Sequence, residues 1–379
     1  MHVAWRAVLL ILLRSGVAVI AVMTSSSCLG IDADEGPQCH SLTCVSLLQR
    51  RAALSTKLES HVVRRRRLGS HLLEHQGELV SEHHGLLDEV HQYAELYHRA
   101  LSQRSMIFYM HVAKTAGTHL CSVGRANGCR SADSNCQEYV IDGPSWSGMG
   151  KIRPDQRPDN CAGLSEVYMN LTLEGNENYL IAEGLCPNFW NVMVLRDPIA
   201  RLISHLSMIQ ADPFRHIQFP FIAITPYPSP QIVFDKVPLI SNNFFIRSLL
   251  GKDVYELPFG FINETHLEKA KRVLESFDVI FVQEEDNDSK LNTDIDVRLG
   301  LSTPSSDLTH RVGSTDMYRQ KLNWTCAEYK EMAAANAMDL ELLQYAKVLE
   351  RIDQQVFTHD TFSKVSETMA RAPCGYLSK

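Results

Sequence analysis

The sequence predicts an α/β fold, in which helices flank a central, mainly parallel sheet and a helical stem precedes this domain. From residue 105 onward, short apolar runs typical of buried strands alternate with stretches of helical periodicity. Residues 45–104 contain no proline and instead repeat apolar side chains at seven-residue spacing. This change of pattern predicts a boundary near residue 105, with the globular domain on residues 105–379.

The composition is that of an ordinary globular protein. The chain has 379 residues, 45% of them hydrophobic and 21% charged, and carries a net charge of −7. Nucleic-acid binding calls for a basic face, which this balance does not favour. We therefore expect no nucleic-acid partner.

The N-terminus reads as a targeting segment. Residues 7–23 are apolar except for Arg14, Ser15 and Gly16, and Arg6 lies just upstream. This is typical of a signal anchor or of a cleaved signal peptide, for which the small residues 25–27 offer a cleavage site. Because a stem-like segment follows, we favour an anchor on residues 1–30 and a luminal stem on residues 31–104. Both alternatives place the remaining chain in the secretory lumen.

Sequons and cysteines support a luminal location. The ten cysteines are even in number and suit an oxidising compartment, although a set of buried free thiols is the alternative. Cys129 and Cys136 flank a polar loop and are the predicted disulfide pair. Four sequons for N-glycosylation have their asparagines at Asn170, Asn263, Asn287 and Asn323.

The stem has an imperfect heptad pattern. Gln76 and His83 are polar residues on its second core position. A coiled coil that forms a homo-oligomer and a single helix packed on the globular domain both remain open. Residues 64–67 are four arginines, which indicate either a solvated helix face or a processing site. The apolar heptad positions are Leu72, Leu79, Leu86 and Tyr93.

Strands and helices alternate in the globular domain. The predicted buried strands are Met106–His111, Tyr179–Ala182, Val192–Leu195 and Val279–Val282. The predicted helices are Thr118–Asn127, Ile199–Gln210, Asn242–Leu250, His266–Ser276 and Cys326–Leu349. Residues 129–178 and 211–240 are predicted to be long loops, where a substrate-binding site could be built.

A first motif combines a strand, a tight turn and a helix. The turn contains Lys114, Thr115, Gly117 and Thr118. Backbone N–H groups at a helix N-terminus bind phosphate oxygens, glycine allows close approach, and lysine adds positive charge. The sequence is not a Walker A motif, and a plain strand–turn–helix junction remains the alternative.

A second motif follows a buried strand on residues 191–196. The strand ends in Arg196, and Pro198 is suited to the first position of the next helix. Arginine binds phosphate through its fork of donors, and Ser204 on that helix offers a further donor. The alternative is a structural pair between Arg196 and Asp197. Arg201 and His205 also lie on this helix.

Together the two motifs resemble those of Golgi carbohydrate sulfotransferases of the heparan-sulfate 2-O/6-O type, which use PAPS (3′-phosphoadenosine 5′-phosphosulfate). The resemblance implies a P-loop-nucleotide-kinase-like sulfotransferase fold and a single-pass type II Golgi membrane protein. Ala113 replaces the family's usual proline, and His205 replaces its usual aromatic residue. The residues that correspond to the family's 5′-phosphosulfate loop are Lys114, Thr115, Ala116, Gly117 and Thr118. Those that correspond to its 3′-phosphate ligands are Arg196 and Ser204.

Three later segments are similar to the same family in the same order. They are residues 243–251, 266–280 and 336–345, so that the resemblance spans about residues 105–350. In this family the general base lies on or just after the strand that precedes the second motif, which here is the region 179–186. Glu183 is its only carboxylate or imidazole and is the predicted base. The alternative is a Glu183 that anchors a loop or Lys114, with His111 or His119 as the base.

The predicted activity is therefore in-line transfer of a sulfuryl group from PAPS to a hydroxyl, without a metal ion. Lys114 would stabilise charge on the leaving phosphate. The family resemblance implies a glycan acceptor, for which Lys151, Arg153, Arg157 and Arg247 offer a local basic groove. A tyrosine or small-molecule acceptor is one alternative, and a catalytically silent, membrane-anchored nucleotide- or glycan-binding protein is another. A nucleotide kinase is disfavoured because Walker A is absent.

Overall fold

The computed structural model describes residues 104–131, 136, 158–176, 179–211, 228–284, 288–299 and 324–358. The predictions for the anchor, the heptads of the stem and the four arginines lie outside these residues. Among the described helices, none has the length and apolar character needed to cross a bilayer.

A four-stranded, all-parallel sheet flanked by helices forms the centre of the described domain. Its strands are β1 (Met106–Met110), β2 (Leu173–Asn176), β3 (Phe189–Arg196) and β4 (Val279–Gln283), in the order β2-β1-β3-β4. All three pairings are parallel, and β1, β2 and β3 are buried along their whole length. The predicted α/β class and parallel sheet are confirmed.

One predicted strand is wrong. Residues 179–182 begin a tight turn, closed where the Gly184 N–H donates to the Ile181 carbonyl at 2.8 Å. The strand beside β1 is instead β2, which lies within the predicted loop on residues 129–178. Its sequence is Leu-Glu-Gly-Asn, and the last three of these residue types are depleted in strands, which concealed it.

Most of the predicted helices are confirmed near their predicted bounds. The predicted helical stretch Cys326–Leu349 is confirmed but is divided into two helices at Asn336, whose side chain donates to the Met332 and Ser241 carbonyls. The two predicted long loops instead contain three short helices, on Cys161–Val167, Pro230–Lys236 and Pro238–Ser241. The helices are α1 (Gly117–Ala126), α2 (Cys161–Val167), α3 (Pro198–Ala211), α4 (Pro230–Lys236), α5 (Pro238–Ser241), α6 (Phe244–Leu249), α7 (Lys252–Tyr255), α8 (Glu264–Glu275), α9 (Asp288–Leu299), α10 (Cys326–Ala335) and α11 (Ala337–Thr358).

Both edges of the sheet are covered by hydrogen bonds from other segments. On the β2 edge, the Gly175 N–H donates to the Cys136 carbonyl. On the β4 edge, the Ile280 and Val282 N–H groups donate to the carboxylates of Asp353 and Glu350 on α11. Since open edges invite further strand pairing, these contacts close the described sheet at four strands.

The disulfides differ from the predicted pair. Cys136 is bonded to Cys121, and Cys161 is bonded to Cys186, so the Cys129–Cys136 prediction is wrong. Cys121 is a buried residue of α1, and α1 packs against β2, along whose edge Cys136 lies. This packing, rather than distance along the chain, selects the partner. Cys129 is also disulfide-bonded.

Two segments of the family resemblance pack against each other. Asp339 on α11 accepts hydrogen bonds from the Phe245 and Ile246 N–H groups and so caps α6. The Asn243 N–H donates to Asn336 Oδ1, and the Asp339 N–H donates to Asn243 Oδ1, so further bonds join the starts of the same two helices. Burial raises the pKa of Asp339 to about 6, although its hydrogen bonds and nearby arginines oppose the shift.

Candidate functional site

The two motifs predicted to bind phosphate meet at the C-terminal end of the sheet, where its two central strands finish. Lys114 follows β1 and Arg196 ends β3, and these parallel neighbours finish at the same edge. Arg196 Nη1 lies 3.5 Å from the Lys114 carbonyl oxygen. β2 lies on one side of β1 and β3 lies on the other, so the chain changes direction across the sheet between β1 and β3. The two motifs therefore flank this switch point, which is where open α/β sheets bind ligands.

The turn after β1 has the backbone shape of an anion-binding concavity. Lys114 and Ala116 both adopt left-handed conformations, with φ of 71° and 60°. Left-handed residues of this kind occur in turns whose N–H groups form anion-binding concavities, although the Thr115 N–H itself donates to the Val112 carbonyl at 3.2 Å. The Thr115 side chain is buried, and its hydroxyl donates to the Val112 carbonyl at 2.7 Å, which holds the turn closed. Thr115 therefore supports the turn from inside, whereas Thr118 is exposed.

Helix α1 presents an N-terminus suited to an anion. Its N-cap residue is Ala116, which has no side-chain acceptor, and its first turn carries no acidic residue. The first N–H groups of a helix have no acceptor within the helix, and its dipole favours negative charge there. Gly117 is required at the first position, because a Cβ there would lie 1.8 Å from His111 Cδ2.

His111 lies beneath this turn and is neutral at physiological pH. Burial, and then the charge of Lys114, lower the pKa of His111 to about 3. Tyr109 donates a hydrogen bond from its hydroxyl to the Gly117 carbonyl at 3.2 Å and lies 3.4 Å from His111 Nδ1. A histidine with so low a pKa is a weak base, so these contacts favour a supporting role for His111. His119, the other rival base, contacts Asn292 on α9 at 2.7 Å.

One face of α3 is turned toward the phosphate-binding turn. Met208 Sδ lies 3.9 Å from Lys114 Nζ, and both Ser204 and Met208 are partly exposed. Residues four apart share a helix face, so Ser204 lies one turn closer than Met208 to the end of β3 that carries Arg196. Lys114, Arg196 and Ser204 therefore belong to three elements that meet near the C-terminal ends of β1 and β3.

Other charged residues of the motifs have structural partners. Asp197 Oδ1 accepts hydrogen bonds from the Ile199 and Ala200 N–H groups, so it caps α3. Arg201 is buried, donates to the Ile240 carbonyl, and lies 4.5 Å over the Phe244 ring. Burial lowers the pKa of Arg201 to about 10.

Arg247 is also structural, which corrects its assignment to a basic groove. Its side chain is completely buried, and it donates to the carbonyls of Asn242, Tyr255 and Pro258. These bonds fix the loop between α7 and α8. The other groove residues, Lys151, Arg153 and Arg157, lie outside the described residues.

Glu183 lies in the tight turn on residues 181–184, between β2 and β3. It is exposed, and its Oε2 accepts a hydrogen bond from the Cys161 N–H at 2.8 Å, at the start of α2. The Cys161–Cys186 disulfide and a bond from the Ala182 N–H to Asp159 hold the same turn. Glu183 therefore anchors a loop, which is the alternative role that the sequence analysis gave for it. Proton abstraction by Glu183 stays a prediction.

Sequence reasoning missed the roles of two buried carboxylates, Glu174 and Asp339. Glu174 is completely buried on β2, in register with Phe108, and the strand itself was not predicted. Asp339 was visible only as part of a family-like helix. Among the described residues, one acidic cluster, formed by Glu264, Glu268 and Glu341, has metal-like spacing. Lys271 contacts two of these three carboxylates and offsets their charge.

No protein-family model matches this chain, and no curated protein matches it significantly. The class that the structure defines is an α/β protein with a central parallel sheet, and the sulfotransferase resemblance depends on the motifs alone.

Proposed function

We propose that this chain transfers a sulfuryl group from PAPS to a hydroxyl of an acceptor, with a glycan as the expected acceptor. One observation carries the proposal most: the Arg196 guanidinium and the Lys114 carbonyl are 3.5 Å apart at the switch point of the sheet. Two cationic motifs that are 82 residues apart in sequence thus meet at the C-terminal ends of two neighbouring strands. A nucleotide with phosphates at both its 5′ and 3′ positions needs two such anion sites.

The residues of the turn fit a phosphosulfate. Two left-handed residues, a glycine without space for a Cβ and a helix start without a side-chain cap leave backbone N–H groups for anionic oxygens. Lys114 adds a positive charge beside them. In this proposal these groups hold the 5′ end of PAPS, and Arg196 and Ser204 hold its 3′-phosphate.

The chemistry requires one proton to move. PAPS supplies a sulfuryl group on a phosphate leaving group. Glu183 accepts the proton of the acceptor hydroxyl as the new S–O bond forms. The S–O bond to the 5′-phosphate of PAPS breaks, its electron pair stays on the phosphate oxygen, and Lys114 stabilises the charge left there. The exposed Glu183 carboxylate has a second oxygen, Oε1, besides the one that bonds the Cys161 N–H.

The finer architecture belongs to the same proposal. A P-loop-nucleotide-kinase-like sulfotransferase fold would place the donor at this sheet edge. The predicted anchor and stem would make the chain a type II Golgi membrane protein with its catalytic domain in the lumen. Assembly through the stem would give a homo-oligomer.

A catalytically silent binding protein is the second candidate, because the Glu183 carboxylate already anchors α2. Labelled PAPS incubated with the luminal protein and a panel of desulfated glycans separates the two. Transfer of label to a glycan supports the enzyme. Binding of PAP (3′-phosphoadenosine 5′-phosphate) without consumption of PAPS on glycan, tyrosine or small-molecule acceptors supports the binding protein. Absence of PAP binding refutes both.

A further inference from the structure

Phe261 is an exposed aromatic side chain two residues before a glycosylation sequon. It is 61% exposed, and the sequon that follows is Asn263-Glu-Thr265. Covering an aromatic ring removes apolar surface from water, so a group that packs on Phe261 would be stabilised by that contact.

The backbone directs Phe261 and Asn263 to the same side. Ile262 between them is 4% exposed, whereas Phe261 and Asn263 are both exposed. Asn263 is extended, with φ of −139° and ψ of 178°. Alternate residues of an extended segment point to the same face, with Cα atoms about 7 Å apart. A group attached to the Asn263 amide therefore starts beside the Phe261 ring.

The position of this pair is fixed by its neighbours. Arg247 donates to the Leu257 and Pro258 carbonyls just upstream. Asn263 caps α8, because its Oδ1 accepts from the Thr265 and His266 N–H groups at 3.1 and 3.4 Å. The cap uses the amide oxygen and leaves Nδ2 as the atom that a glycan requires. Capping and glycosylation are thus compatible at this residue.

We propose that Asn263 carries an N-linked glycan whose first sugar packs on the Phe261 ring. In the reaction, Asn263 Nδ2 forms a bond to the anomeric carbon of a lipid-linked diphospho-oligosaccharide. The bond from that carbon to the phosphate oxygen breaks, the lipid diphosphate leaves with the electron pair, and Nδ2 loses one proton. The apolar C–H face of the sugar then covers the ring. The proposal needs a luminal location and is independent of sulfuryl transfer.

A second described sequon provides a matched comparison. Asn170 is also exposed, but the residue two positions before it, Tyr168, is 4% exposed and packs against Phe189 at 6.2 Å between ring centroids. No exposed ring stands at that position, so a glycan on Asn170 lacks the same platform.

The test uses the full chain from secretory cells, solubilised in detergent. Glycopeptide mass spectrometry gives the occupancy of Asn263, and the melting temperature reports the sugar–ring contact. Thr265→Ala destroys the sequon but keeps the Asn263 cap, whereas Phe261→Ala keeps the sequon and removes the ring. The same variants from a host without N-glycosylation give the intrinsic effect of each substitution.

After that correction, Thr265→Ala should lower the melting temperature by roughly 2–4 °C when Phe261 is present. It should have little effect in the Phe261→Ala background, since the two changes remove one interaction. Asn170→Gln should give a smaller shift than Thr265→Ala. An unmodified Asn263 overturns the glycan, and equal shifts in both backgrounds overturn the contact with Phe261.

Discussion

Arg196 offers the sharpest test of the site, because its proposed role is specific to one phosphate. The side chain is 9% exposed at the C-terminal end of β3. A charge-assisted phosphate contact contributes about 1.5–3 kcal/mol, so Arg196→Ala should weaken PAP binding by roughly ten- to a hundredfold. Its contact with the Lys114 carbonyl is long, at 3.5 Å, so the loss of that contact should disturb the turn little.

Isothermal titration calorimetry with two ligands separates this role from a structural one. PAP carries the 3′-phosphate, and adenosine 5′-phosphate lacks it. Arg196→Ala should weaken PAP alone. Arg125→Ala is the matched control, because Arg125 is exposed in the last turn of α1, away from the turn that carries Lys114. Equal losses for both ligands would make Arg196 structural, and unchanged PAP binding in a folded variant would refute the 3′-phosphate assignment.

Three further predictions concern the base, a buried carboxyl and the stem. Glu183→Gln should cut turnover by roughly 10²–10⁴-fold, measured with labelled PAPS, and should leave PAP affinity unchanged. If His111→Ala or His119→Ala causes this loss and Glu183→Gln does not, that histidine is the base. Because the pKa of Asp339 is raised to about 6, above its unfolded value, the folded state binds the extra proton between about pH 4 and 6, and the stability it contributes falls as pH rises through that window. Urea unfolding should show the difference between wild type and Asp339→Asn changing by on the order of 2 kcal/mol across this range, and a constant difference would contradict it. Analytical ultracentrifugation should find an oligomer for residues 45–379 and a monomer for 105–379, whereas two monomers would exclude the coiled coil.

The strand, turn and helix that carry Lys114 could be predicted because their signal is local. A buried apolar run, a turn with glycine and lysine, and a helical stretch follow one another within residues 106–126, and the structure has β1 and α1 there. Strand β2 could not be predicted, because its stability comes from packing. Only glycine fits at position 175, because a Cβ there would lie 2.5 Å from the Tyr109 ring. Tertiary contacts of this kind override residue propensity.

The roles of charged residues were the hardest to predict, since phosphate binding and internal structure use the same side chains. Asp197 caps α3, Arg201 joins α3 to α5 and α6, and Asp339 caps α6. Each of these residues joins one element of the fold to another or caps its end. They therefore carry information about architecture, whereas the proposed chemistry depends on Lys114, Arg196, Ser204 and Glu183. A variant of a connecting residue should reduce stability and binding together, and a variant of a chemical residue should reduce binding or turnover in a protein that remains folded.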